Sequence, residues 1–182
     1  MLTRLVLTAA LGLLARGSPQ DFQRANLATK RLAPATFATL PLEIRRDLEK
    51  RGCTIPQAFT ATRPGNVISG RFTSAAKTDW AALCSVNRVS SMLVYRGSSV
   101  SSVAELASFP DSTFLQVVGP NGAIGYSRAI VAASAGYIRE HNRGNPRLPQ
   151  VDHDGVNDLF VQKGSSVWYW DGGRWLELDG AD

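Results

Sequence analysis

Residues 167–178 read Val-Trp-Tyr-Trp-Asp-Gly-Gly-Arg-Trp-Leu-Glu-Leu, two aromatic and aliphatic runs joined at Asp171-Gly172-Gly173. Glycine accepts the positive φ that a tight hairpin turn demands, and aromatic and β-branched side chains suit a pleated, half-buried surface. The segment therefore reads as an antiparallel β-hairpin. A two-residue turn is expected to set Trp168 opposite Trp175, and a three-residue turn shifts the register by one.

Other strands are expected at residues 67–72 and 80–84, joined by a polar turn, and at 91–95. A further strand covers 114–118, ahead of the turn Gly119-Pro120-Asn121-Gly122. Residues 124–130 read as a strand of mixed periodicity, and another strand starts at Leu159. Helix signals are fewer. Leu40, Ile44 and Leu48 recur every four residues, Pro41 suits a first turn and Gly52 a stop, which predicts a helix over 41–51 that delivers Cys53 to the core. Ser102-Val103-Ala104-Glu105 has the capping-box form and predicts a short helix to Phe109, stopped by Pro110. Residues 134–141 suit a third. Residues 18–38 lack sustained periodicity and read as a flexible, polar lead. The expected fold is mostly β (α+β): one compact antiparallel-sheet domain over 39–182, with two or three short helices and a C-terminal β-hairpin.

Arg4, the apolar run of residues 5–14 and the small residues Ala15 and Gly17 follow the order of a secretory signal peptide, assigned to 1–17. Ten apolar residues are too few to span a bilayer, and no later segment is apolar enough to do so, so no integral membrane segment is expected after signal removal. A secreted or periplasmic address follows. In such an oxidising compartment the two cysteines, Cys53 and Cys84, read as a disulfide. About 165 residues remain, a single domain by length.

The chain carries a formal net charge of +5, divided unevenly: residues 1–96 carry +9 and residues 97–182 carry −4. Pairing between the halves explains this. Nucleic acid is not an expected partner, because the basic residues are scattered and the densest group, Arg45, Arg46, Lys50 and Arg51, fits one solvated helix face.

Asp152, Asp154 and Asp158, with Gly155 among them, form the sharpest chemical motif. Closely spaced carboxylates make a hard oxygen pocket of the kind that calcium takes. EF-hand spacing is excluded: counting from Asp152, glycine falls at the fourth position and Lys163 at the twelfth. The segment resembles instead the calcium loop of FG-GAP (integrin-type) repeats. That resemblance implies calcium ligands at Gln150, Asp152, Asp154, Val156 through its carbonyl, and Asp158, with Leu159-Phe160-Val161 as the following strand and Gly155 supplying a sharp turn. A degenerate echo runs from Gly70-Arg71-Phe72 to Asp79-Trp80-Ala81, where the cation of Arg71 or Lys77 is expected to replace the metal and pair with Asp79. The competing reading of the acidic stretch is a turn whose Asp side chains bond their own backbone. Over nearly the whole mature chain, Cys53-Thr54-Ile55-Pro56-Gln57, residues 66–72, Thr78-Asp79-Trp80-Ala81 and Gly180-Ala181-Asp182 resemble a group of uncharacterised secreted bacterial proteins, which implies no activity.

Trp168, Trp170 and Trp175 are candidate ligand-contact residues, since exposed tryptophans stack on sugar rings; cross-strand packing is the competing reading. His153 is a candidate base beside a metal-bound water, or an exposed spacer, and His141 reads as solvated. No Gly-x-Ser-x-Gly elbow and no phosphate-cradling loop are present. The functional expectation is a secreted, calcium-stabilised, non-catalytic module that binds a protein or glycan. The alternatives are a small metal-assisted hydrolase using the acidic loop and a periplasmic enzyme inhibitor inserting residues 97–102.

Overall fold

The computed structural model describes residues 17–119 and 121–181. The predicted signal peptide lies outside the described residues, Gly17 excepted. The stretch expected to lack periodic structure contains a helix. Helix α1 (Pro19–Ala28) starts at a capping box in which Ser18 Oγ accepts from the Asp21 amide and the Asp21 carboxylate accepts from the Ser18 amide. Its apolar residues Phe22 and Ala25 pack on the core. Two such positions are too few to register as periodicity, but Ser-Pro-x-Asp is itself a helix-start signal.

Strand β1 (Arg31–Leu32) follows, and later pairs with β2 (Ile55–Pro56). Between them, α2 (Leu42–Lys50) forms as the four-residue spacing predicts, burying Ile44 and Leu48 completely. Gly52, at φ +73°, ends it. Cys53 then reaches Cys84 across a disulfide with Cα atoms 4.9 Å apart.

Two four-stranded antiparallel meanders make the body. The first runs β3 (Val67–Gly70), β4 (Asp79–Val86), β5 (Val89–Tyr95) and β6 (Val103–Pro110), in that spatial order. A short pair, β7 (Leu115–Val117) and β8 (Ile124–Tyr126), leads to the second. That sheet holds β9 (Arg128–Ala133), β10 (Gly155–Phe160), β11 (Gly164–Asp171) and β12 (Arg174–Asp179), again in order, with α3 (Ala135–His141) between β9 and β10.

The side-chain alternation of β4 and β5 explains the layering. Ala82, Cys84, Leu93 and Tyr95 face α2, whereas Ala81, Leu83, Met92 and Val94 face the second sheet and meet Ile130 and Val156. Both faces are covered, which is why these strands read as nearly continuous apolar runs. The outer face of the second sheet, Val167, Tyr169 and Leu178, lies under Ile138 of α3. The order of layers is therefore helix, sheet, sheet, helix. Gly155 lets α3 approach: a Cβ there would sit 2.6 Å from Val167 Cγ1 and 3.1 Å from Ile138 Cδ1.

Three local expectations are corrected. Residues 103–110 form strand β6, not a helix, because β5 offers an unpaired edge and Glu105 accepts from Ser91 Oγ rather than capping its own chain. The register slips at Ser90/Met92, where Ala107 adopts φ 50° in a bulge. The second sheet's β10 starts at Gly155, four residues ahead of Leu159. The hairpin turn is Gly172-Gly173, with φ of 54° and 119°; it pairs Asp171 with Arg174 and Trp170 with Trp175, and leaves Trp168 opposite Glu177. A two-residue turn centred between the glycines admits only that register.

Candidate binding site

The predicted calcium ligands do not form one shell. Asp158 lies within β10, and both its oxygens accept from Arg128: Nε to Oδ1 at 2.9 Å and Nη2 to Oδ2 at 2.7 Å. Val156 is in the same central strand, paired with Ala132 on one side and Trp168 on the other, so its carbonyl belongs to the ladder. Asp154 accepts from the Arg71 amide at 3.2 Å, and its own amide donates to the Arg71 carbonyl at 3.0 Å. Asp152 is exposed, with Oδ1 3.3 Å from the Tyr169 hydroxyl, and that hydroxyl also donates to the Gln150 carbonyl at 3.2 Å. Burial, with Asp152 beside it, raises the Tyr169 phenol above its ordinary value.

Extended chain from Asp154 to Asp158 spans about 13 Å at about 3.3 Å per residue, against about 5 Å across a calcium shell. Among the described residues, no three His, Cys, Asp or Glu side chains are grouped as metal ligands would be. As folded, this donor set does not fit a calcium ion, because Asp158 is already neutralised by a guanidinium and its neighbours point elsewhere.

The degenerate echo is corrected as well. Asp79 is fully buried, and its carboxylate accepts from the Thr73 amide and hydroxyl at 2.7 and 2.9 Å and from the Gly97 amide at 2.6 Å. Neither Arg71 nor Lys77 pairs with it; Arg71 lies beside Asp154, Nε to Oδ2 3.9 Å. The two windows that resemble each other in sequence thus touch in space. Each leads into the second strand of a meander, Asp79 opening β4 and Asp154 preceding β10.

His153 is buried rather than an exposed spacer. It stacks on Tyr169 with ring centroids 4.4 Å apart, and its nitrogens face the carbonyls of Asp154 at 2.8 Å and Trp170 at 3.1 Å. Both nitrogens are thus engaged with backbone carbonyls, which is not the geometry of a general base. His141 is exposed, as expected, and stacks on Tyr137.

The three tryptophans occupy one face of the second sheet, turned toward the first. Trp175 packs on the inter-sheet core. Trp168 lines a hollow of about 270 Å³ together with Phe109, Phe114, Phe160, Asp158 and Glu177. Trp170, half-buried and edge-to-face with Trp175 at 5.4 Å, borders an open recess of about 660 Å³.

That recess is the one that sets a tryptophan ring beside cationic and hydroxyl-bearing residues. Its wall is drawn from both meanders: Trp170 of β11, Arg96 and the serine loop after β5, and Thr73, Ser74 and Lys77 from the β3–β4 connection. The Arg96 guanidinium lies 4.8 Å from the Trp170 ring centre. Five hydroxyl-bearing residues, Thr73, Ser74, Ser99, Ser101 and Ser102, line the recess, with the Thr73 hydroxyl bonded to Asp79 and those of Ser99 and Ser101 to each other. Asp79 pins both contributing loops through Thr73 and Gly97, and Ser98 Oγ ties the serine loop to the Thr78 carbonyl at 3.0 Å. The rim is therefore held in place before any ligand arrives. Trp170 was legible as a candidate; Arg96, Lys77 and the hydroxyls were not, because they gather only when the two sheets meet. Compared with known proteins, the chain matches no family model, no curated protein and no solved structure.

Proposed function

We propose that the chain is an exported, non-catalytic binding module that takes a glycan in the Arg96–Trp170 recess. One observation carries the reading: a half-buried tryptophan borders a preformed recess of about 660 Å³ rimmed by five hydroxyl side chains. Sugars present apolar ring faces and dense hydroxyl groups, and such a wall complements both. The disulfide fits an oxidising compartment, in keeping with the export signal and with the resemblance to secreted proteins. The acidic residues support a structural role: Asp158 is clamped by Arg128, and both His153 nitrogens face backbone carbonyls. The proposal needs no calcium.

Electrophoresis through native gels containing soluble polysaccharides tests it. The wild-type chain is expected to be retarded by at least one polysaccharide, equally in calcium and in chelator. Trp170→Ala should weaken retention about tenfold, the worth of about 1.4 kcal/mol of contact, while Trp168→Ala retains it. Migration unaffected by every polysaccharide, or retention unchanged in Trp170→Ala, would overturn the proposal.

A further inference from the structure

Arg96 and Lys77 bring to the recess positive charge that a neutral sugar leaves uncompensated. The Arg96 guanidinium lies over Trp170, and its Nε is buried without a hydrogen-bond partner. No described carboxylate forms an ion pair with it. Asp79, the buried acid bonded to the neighbouring Gly97, spends its oxygens on Thr73 and Gly97. Lys77 lines the same wall, also outside any described ion pair. Elsewhere, Arg31, Arg51 and Arg128 each meet an aspartate within 2.7 Å. Arg96 differs from these in being positioned by an aromatic ring while its charge remains uncompensated.

A guanidinium held against an aromatic ring is pre-organised: its planar fork is oriented, and little rotamer freedom is lost when an anion binds. Two cations on one wall, outside any described ion pair and beside hydroxyl-bearing residues, suit a planar or tetrahedral oxyanion. We infer that the recess selects acidic glycans, with Arg96 and Lys77 receiving a carboxylate or sulfate group carried on the sugar bound beside Trp170. This inference rests on the glycan reading above and narrows it to one chemical class.

Three polymers test it in the same gels: polygalacturonate, its methyl ester, and dextran sulfate. The methyl ester keeps the sugar backbone and removes the charge. Polygalacturonate is expected to bind at least tenfold more tightly than its ester, with an affinity that falls as salt rises. Arg96→Gln should abolish that discrimination without changing the melting temperature, and Arg96→Lys should restore part of it. Retention by dextran sulfate alone, lost in Arg96→Gln, would keep the anionic subsite and assign it to sulfate. Equal retention by polygalacturonate and its ester, or acid selectivity that survives Arg96→Gln, would overturn this inference and leave the glycan reading standing. Retention by no polysaccharide would overturn both.

Discussion

Arg128 is fully buried in a strand of otherwise small and aliphatic residues, a placement that only complete pairing can sustain. A guanidinium has five N–H donors. Here Nε and Nη2 grip Asp158, Nη1 meets the Ser90 carbonyl at 2.8 Å and its hydroxyl at 3.1 Å, and Nη2 also reaches the Ala107 carbonyl at 2.7 Å. The bulge at Ala107 is what turns that carbonyl inward. Phe114 covers the cation at 4.6 Å. Truncating Arg128 to Ala would strand the Asp158 carboxylate inside the sandwich, and a loss of about 3–5 kcal/mol in denaturant unfolding is expected. Replacing the pair together, Arg128→Met with Asp158→Leu, should recover most of that loss, since burying an ion pair gains little over apolar packing. A double variant as unstable as Arg128→Ala would refute this account. Sequence alone offered the aspartate as a metal ligand because its cation sits thirty positions upstream in another strand.

Asn66 does for the two sheets what Arg128 does within their interior. It sits at φ 68° just before β3, in the left-handed region that asparagine tolerates better than most residues. Its side-chain amide behaves like a strand's peptide group: Oδ1 accepts from the Ile130 amide at 3.0 Å, while Nδ2 donates to the carbonyls of Pro56 at 2.6 Å and Arg128 at 3.3 Å. The β3 edge of one meander is thereby stitched to the β9 edge of the other. Asn66→Ala removes these bonds, orphans a buried amide and adds left-handed strain, for an expected cost of about 3–4 kcal/mol. Asn66→Gly keeps the backbone relaxed and should be about 1 kcal/mol milder. Amide exchange at Ile130 should quicken in both, and unchanged protection there would argue against the stitch. Elements with their own periodicity, α2 and the C-terminal hairpin, were legible beforehand. Strand β6 was not, since its capping-box signature is local and its partner, β5, is what decides its conformation.

The whole molecule is a helix–sheet–sheet–helix stack closed at one flank by the Asn66 stitch and reinforced on its α2 side by the disulfide. Cys53 and Cys84 are 31 residues apart, a loop whose closure is worth about 3–4 kcal/mol in chain-entropy terms. The Cys53→Ala/Cys84→Ala variant should melt roughly 6–16 °C lower and still fold, because Ile44, Leu48 and Ile55 keep the surrounding cluster packed. Failure to fold would show that the covalent link, and not the cluster, holds α2 on the sheet. By itself the sequence determined the class of the fold, the α2 helix, the hairpin at its glycine pair and the pairing of its two cysteines. Each of those depends on side-chain spacing or chemistry within a few residues, or on a choice with a single partner. Only the tertiary structure decided where the charges go: Asp158 to Arg128, Asp154 beside Arg71, Asp79 to the loops at Thr73 and Gly97, and Arg96 left unpaired over Trp170. Coulomb and hydrogen-bond partners are chosen by proximity in space, and that proximity exists only after two meanders distant along the chain have packed face to face.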